Sequence, residues 1–255
     1  MSIDPIPQSL SEWFATTPLG QYVLAREQAY LDAAVVDAFG FHALQLGLVE
    51  HDFLRANRIP FKCKVAPRGA PLRAQFHDLP IASNSIDLLL LPHVLEFSAQ
   101  PHQILREAHR VLVPEGQIII AGFNPWSLWG VRHFFNRTYE AYPWRGQFIH
   151  LLRLKDWLTL LDMEIAAGQM SCYVPPCAQA KWLNRFNFME DAGDRWWPIA
   201  GGVYFLRAVK RVRGMRVIVP KRSEQRLAAK RRLVAVPRQV SEQEGIAARD
   251  SADLQ

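Results

Sequence analysis

Cysteine is scarce in this 255-residue chain. Cys63, Cys172 and Cys177 are odd in number and lack metal-ligand spacing, which excludes a disulfide scaffold and a zinc framework and suits a reducing compartment. Long apolar runs are also lacking. None approaches the ~18–20 residues of a membrane helix. The opening MSIDPIPQSLSEWF has neither the basic nor the apolar region of a signal peptide, so a cytoplasmic protein is expected. Acid is locally absent: no Asp or Glu occurs between Asp52 and Asp78, a stretch that holds Arg55, Arg58, Lys62, Lys64, Arg68 and Arg73. Such a run is either a solvated face or a surface turned toward a polyanion. Aromatics are missing from residues 210–238, where eleven basic side chains face Glu224 alone. That segment therefore carries the formal net charge of +6, and residues 1–208 are close to neutral. Without aromatic rings it cannot stack on bases, and phosphate contact to RNA or another polyanion is what it can offer.

A composition that is 49% hydrophobic and 21% charged is that of a globular chain able to bury a core. Pro18 opens a helix that runs to about Phe39, with Tyr22, Ala25, Ala29, Ala33 and Val36 as its apolar face, and residues 9–17 give no clear element. Short strands are predicted at His42–Gly47, Phe61–Val65 and Leu72–Phe76, with a brief helix over 52–58. Ile86–Leu91 is a continuous apolar strand of the kind buried on both faces of a parallel sheet. Pro101 starts a helix whose stripe is Ile104, Leu105, Ala108, Val111 and Leu112, and Pro114-Glu115-Gly116 ends it. Strands follow at Gln117–Ala121, Glu164–Ala167 and Val203–Val209, with a helix around Trp157, Leu158 and Leu161. Strand and helix alternate, so the expected class is α/β with a mostly parallel sheet and ligands at its carboxyl edge. The expected organisation is an N-terminal helical extension over 1–40, a body over 41–209 and a basic, flexible tail over 210–255.

The stretch His77–Phe123 carries Leu79-Pro80-Ile81, Ser85-Ile86-Asp87, His93-Val94-Leu95-Glu96, Leu105-Arg106-Glu107, Arg110-Val111-Leu112 and Pro114-Glu115-Gly116 in sequence. In order and spacing it resembles the class I S-adenosylmethionine-dependent methyltransferases, type-eleven branch. The run Gly122–Gly130 is similar to a bacterial subgroup, the YafS-like proteins. The resemblance implies a Rossmann-like sheet with an antiparallel last strand, helices on both faces, and S-adenosyl-L-methionine as cofactor. It also implies cofactor contacts at Gln45, Gly47, Gln75, Phe76, Asp78, Pro92 and His93. Gln45 stands in the slot of the family's first acid, and Gly47 in that of the first glycine. Val49 and His51 replace the other two glycines, and the acid expected about 20 residues further on is missing. Gln75 takes the adenine-contacting position, for which Asp78 could substitute by a shift.

His93, after the fourth expected strand, is the candidate catalytic residue, with a packing role as its alternative, while Glu96 reads as a helix-start or surface acid. Asn124-Pro125-Trp126 and Pro176-Cys177 resemble base-methylation motifs but follow the wrong strands. Trp126, Trp129, Trp144, Trp182, Trp196 and Trp197 cluster after the fifth and sixth strands, as pocket walls or as a satellite core, with Tyr139 and Tyr142 as candidate pocket hydroxyls. Two functions follow: methyl transfer to an unidentified, small acceptor, or a degenerate, non-catalytic fold that serves as a binding or RNA-associated module.

Overall fold

A computed structural model describes residues 9–135, 142–177, 180–186, 188–197 and 199–211. The basic segment from 212 onward, on which the polyanion expectation rests, lies outside the described residues. In chain order the elements are α1 (Leu10–Thr16), α2 (Pro18–Val36), β1 (His42–Leu46), β2 (Phe61–Ala66), β3 (Leu72–Arg73), β4 (Ile86–Pro92) and α3 (Pro101–Val111). They continue with β5 (Leu112–Phe123), α4 (Leu128–Phe135), α5 (Leu151–Leu160), β6 (Met163–Ser171), α6 (Ala180–Arg185), α7 (Phe188–Trp196) and β7 (Val203–Lys210). The strands form one sheet in the order β3-β2-β1-β4-β5-β7-β6. β1 pairs parallel with β2 and β4, and β4 with β5; β7 runs antiparallel to both β5 and β6.

Strand periodicity divides the core in two. Leu88, Leu90, Ile119, Ala121, Phe123 and Phe205 point to the face covered by α1 and α2. Leu89, Leu91, Ile118, Ile120, Tyr204 and Leu206 point to the opposite face, covered by α3 and α5. Two apolar faces explain why the centre of β4 reads as an unbroken run of leucines.

Several expectations are corrected. Residues 10–16 are helical: Ser9 caps α1 by accepting from the Glu12 N–H at 3.0 Å, and Trp13 and Phe14 anchor it in the core. α2 buries Leu19, Val23, Glu27, Leu31 and Val35, while Ala25, Ala29, Ala33 and Val36 are exposed. Leucine and valine outcompete alanine for the interior because they remove more apolar area from water, and a glutamate is carried inside with them. Residues 53–56 form turns in place of the expected helix, and β3 stops at Arg73, which leaves Gln75 and Phe76 in a tight turn closed by the Asp78 N–H to the Gln75 carbonyl at 3.1 Å. β7 runs one residue past Val209, so Lys210 belongs to the sheet; its Nζ donates to Asn84 and to the carbonyls of His109 and Leu112.

Candidate cofactor cavity at the carboxyl edge of the sheet

Where β1 ends, the chain turns through two residues with left-handed backbone, Gly47 at φ 74° and Leu48 at φ 45°. The Gly47 N–H still bonds the Val65 carbonyl at 2.8 Å, so the turn begins within the parallel ladder. Buried Gln45 holds the loop beyond it. Its two amide hydrogens serve the carbonyls of Gly47, Leu48 and His51 at 3.1, 3.0 and 2.9 Å, and its Oε1 accepts from the Phe53 N–H at 3.1 Å. A carboxylate, which only accepts, would face three carbonyl oxygens here. The amide thus supports the loop from behind, and Gln45 does not line the cavity.

That cavity, about 460 Å³, opens across the carboxyl ends of β1, β2 and β4. Gly47, Gln75, Phe76, Pro92 and His93 come together in its wall, whereas exposed Asp78 stays outside it. Leu10, His77 and Tyr142 line it as well. His77 and Leu10 were missed in the sequence. The first neighbours the Gln75-Phe76 pair, which was a usable signal; the second arrives from α1, which short local periodicity did not reveal.

His93 sits at the floor, with left-handed backbone at φ 53° and a side chain wholly buried. Its Nδ1 bonds Glu96 Oε2 at 2.8 Å, and its Nε2 bonds Glu27 Oε1, from α2, at 2.6 Å. Glu96 is therefore a buried acid and not a surface one; its other oxygen accepts from the Phe123 N–H. Burial alone would lower the imidazole pKa, but attraction and hydrogen bonds from Glu27 and Glu96 together overcome it and raise it to about 10. Both ring nitrogens are committed to carboxylates, which leaves none to take a proton from an acceptor. The geometry makes His93 a structural cation that ties the N-terminal helices to the end of β4.

Among the described residues no tryptophan walls the cavity, and the Trp182 side chain lies outside them. Trp129 and Trp144 pack in the core, 5.9 Å apart, while Trp126, Trp196 and Trp197 are exposed. Tyr139 lies outside the described residues. Among the described residues no His, Cys, Asp or Glu group could hold a metal, and all three cysteines are free.

The residues present fit an S-adenosyl group at two of its three parts. A Cβ built on Gly47 would come within 3.3 Å of Val94 and 3.7 Å of Phe76, so the glycine keeps open a floor that a side chain would fill. The Gln75 amide supplies a donor and an acceptor for a purine edge, with Phe76 beside it. At the ribose the usual carboxylate is absent: among the described residues no Asp or Glu lines the cavity, and β2 leads instead to Pro67.

Comparison with known proteins agrees with this geometry. A methyltransferase domain family matches residues 54–120. The uncharacterised protein YafS of Escherichia coli (strain K12) is 31% identical over 165 residues, which cover 63% of this chain and 69% of that protein. A chain from the Haloferax volcanii complex between the Trm112 methyltransferase activator and a methyltransferase superposes with a TM-score of 0.56 at 15% identity, covering 82% of this chain and 99% of that one. A Thermotoga maritima S-adenosylmethionine-dependent methyltransferase gives 0.55 at 17% identity, covering 74% and 93%. Strand order, the antiparallel last strand and the sequence likeness converge, and the chain belongs to the class I S-adenosylmethionine-dependent methyltransferases, in their type-eleven branch and among the YafS-like bacterial proteins.

Proposed function

We propose that the chain transfers the methyl group of S-adenosylmethionine to a small acceptor. The observation that carries this reading is the open floor at Gly47, beside the Phe76 ring in a cavity of about 460 Å³ that Gln75 also lines. The cofactor supplies an electrophilic methyl on a sulfonium, so the chain's work is alignment and exclusion of water. The turn at Gly47 and Leu48 offers close backbone approach, Gln75 and Phe76 would hold the purine, and Pro92 and Val94 shape the floor. Phe97 and Tyr142 close the side toward the acceptor. With His93 committed, His77 and Tyr142 are the titratable groups left in the wall. The reading therefore favours an acceptor whose nucleophile needs little help in shedding its proton. Its proposed setting is the cytoplasm, for which the three free thiols speak.

A second reading, a binding module without turnover, draws on the cavity's lack of carboxylates. Incubating the full chain with methyl-labelled S-adenosylmethionine and a cell extract, then separating products by size, distinguishes the two. Label in the small-molecule fraction supports the first reading. Label in protein or RNA contradicts the small acceptor, and cofactor binding without any transfer leaves the binding module.

A further inference from the structure

The connection from β5 to α5 turns apolar side chains outward on a helix that is already docked. α4 buries Trp129 and Gly130, yet Leu128, Val131, Phe134 and Phe135, at helical spacing, are 49% to 77% exposed. Trp126 just before α4 and Leu152 on α5 are exposed as well. These side chains share one edge. His133 of α4 stacks on Phe148 at 4.3 Å, and Trp126 meets His150 edge-on at 4.7 Å. Phe148 and His150 both line a second cleft, about 410 Å³, separate from the cofactor cavity.

Basic charge outnumbers acidic along this edge, and the cleft itself carries no carboxylate among the described residues. The cleft holds His102, His150 and Arg153 and no acid, and Trp157 forms its base, with the Arg153 guanidinium 5.3 Å from that ring and the His102 ring 3.9 Å from it. An adjoining hollow brings Arg106 beside His102, again without an acid. Among the described residues from 124 to 156 the basic side chains beside the histidines are Arg132, Arg145, Arg153 and Lys155, against one carboxylate, the exposed Asp156 on α5. Outward aromatic and aliphatic side chains around a cationic cleft are the complement of an interface with anionic headgroups above hydrocarbon. Leu128, Val131 and Leu152 have no π face to offer a nucleic-acid base, but they can enter hydrocarbon.

We infer that this edge docks on the surface of an anionic lipid bilayer, with Trp126, Phe134 and Phe135 entering the interface and lipid phosphates meeting Arg153, His102 and His150. No helix among the described residues is long and apolar enough to cross a membrane, so the attachment is peripheral. Pro125 follows the end of β5, which puts the docking edge on the same side of the sheet as the cofactor cavity.

Sedimentation of the full chain with vesicles tests this without cofactor or turnover. The protein should pellet with equimolar phosphatidylcholine and phosphatidylglycerol and stay in solution with phosphatidylcholine alone. Phe134→Ser with Phe135→Ser, and separately Arg153→Glu, should each weaken binding roughly tenfold, because each removes part of the apolar or cationic contact. These side chains are exposed, so melting curves should match the wild type; Trp126→Ser is an independent variant if the Phe pair lowers them. Failure to pellet with anionic vesicles overturns the inference, as does equal pelleting with neutral ones. Variants that bind like the wild type would assign attachment to the basic segment after Arg211. Displacement from vesicles by single-stranded RNA, with RNA affinity falling in the same variants, would make the edge a nucleic-acid surface.

Discussion

The imidazole of His93, held between Glu27 and Glu96, makes part of the protein's stability depend on pH. A folded pKa of about 10, raised from 6.5, stabilises fully below about pH 6.5 and loses its contribution as pH rises through about 10. Against a His93→Gln variant, the wild type should therefore lose melting temperature progressively across that window, which thermal denaturation at several pH values measures. Parallel curves would show that the cluster does not titrate. Glu27 Oε2 has no hydrogen-bond partner among the described residues, and its other oxygen bonds His93 Nε2. Gln45 permits a second prediction. Gln45→Glu restores the family's acid but sets a carboxylate against three carbonyl oxygens, and it should cost roughly 1–3 kcal/mol in chemical denaturation. Unchanged stability would mean that the loop is not held by the amide. Neither role was legible beforehand: Glu27 occupies a position in α2 that periodicity assigns to an apolar residue, and the duties of Gln45 are set by carbonyls up to six residues away.

At the scale of elements, β7 is locked at its end by Lys210, whose Nζ donates to Asn84 at 2.7 Å and to the carbonyls of His109 and Leu112 at 2.8 and 2.7 Å. Those carbonyls lie at the end of α3 and the start of β5, so one ammonium joins three elements. Lys210→Ala should destabilise by about 1–3 kcal/mol, the cost of leaving buried acceptors unmet; a urea midpoint equal to the wild type's would contradict it. Elements with strong local signals were readable. β4 is an apolar run, and α3 shows a stripe opened by Pro101; it stops at Val111, though, and Leu112 and the Pro114-Glu115-Gly116 segment already belong to β5. The misreadings came from competition that sequence does not display. α1 has seven residues and is stabilised mainly by burying Trp13 and Phe14, and the alanine-rich side of α2 lost the core to its leucines and valines.

At the scale of the whole molecule, a sheet between two cores brings distant segments to one edge, which explains the partial legibility of the site. Gly47, Gln75 and Pro92 could be read from motif order, but their meeting with Leu10 and Tyr142 depends on chain crossings. Residues up to Val212 form one compact unit. A chain ending at Arg211, whose guanidinium pairs with Glu115 and Glu164, should keep the full-length melting temperature and lose low-salt RNA binding if the basic segment contacts a polyanion. Undiminished RNA binding would shift attention to the basic residues between Arg55 and Arg73. This edge is proposed to receive S-adenosylmethionine without a ribose carboxylate. Calorimetric titration of the full chain and of Gly47→Val with S-adenosylmethionine tests it most directly. The wild type should show saturable one-site binding and the variant at least about tenfold weaker binding, because its side chain would fill the cavity floor at a left-handed residue. No heat of binding from the wild type at millimolar ligand, or equal affinity in both proteins, would contradict it.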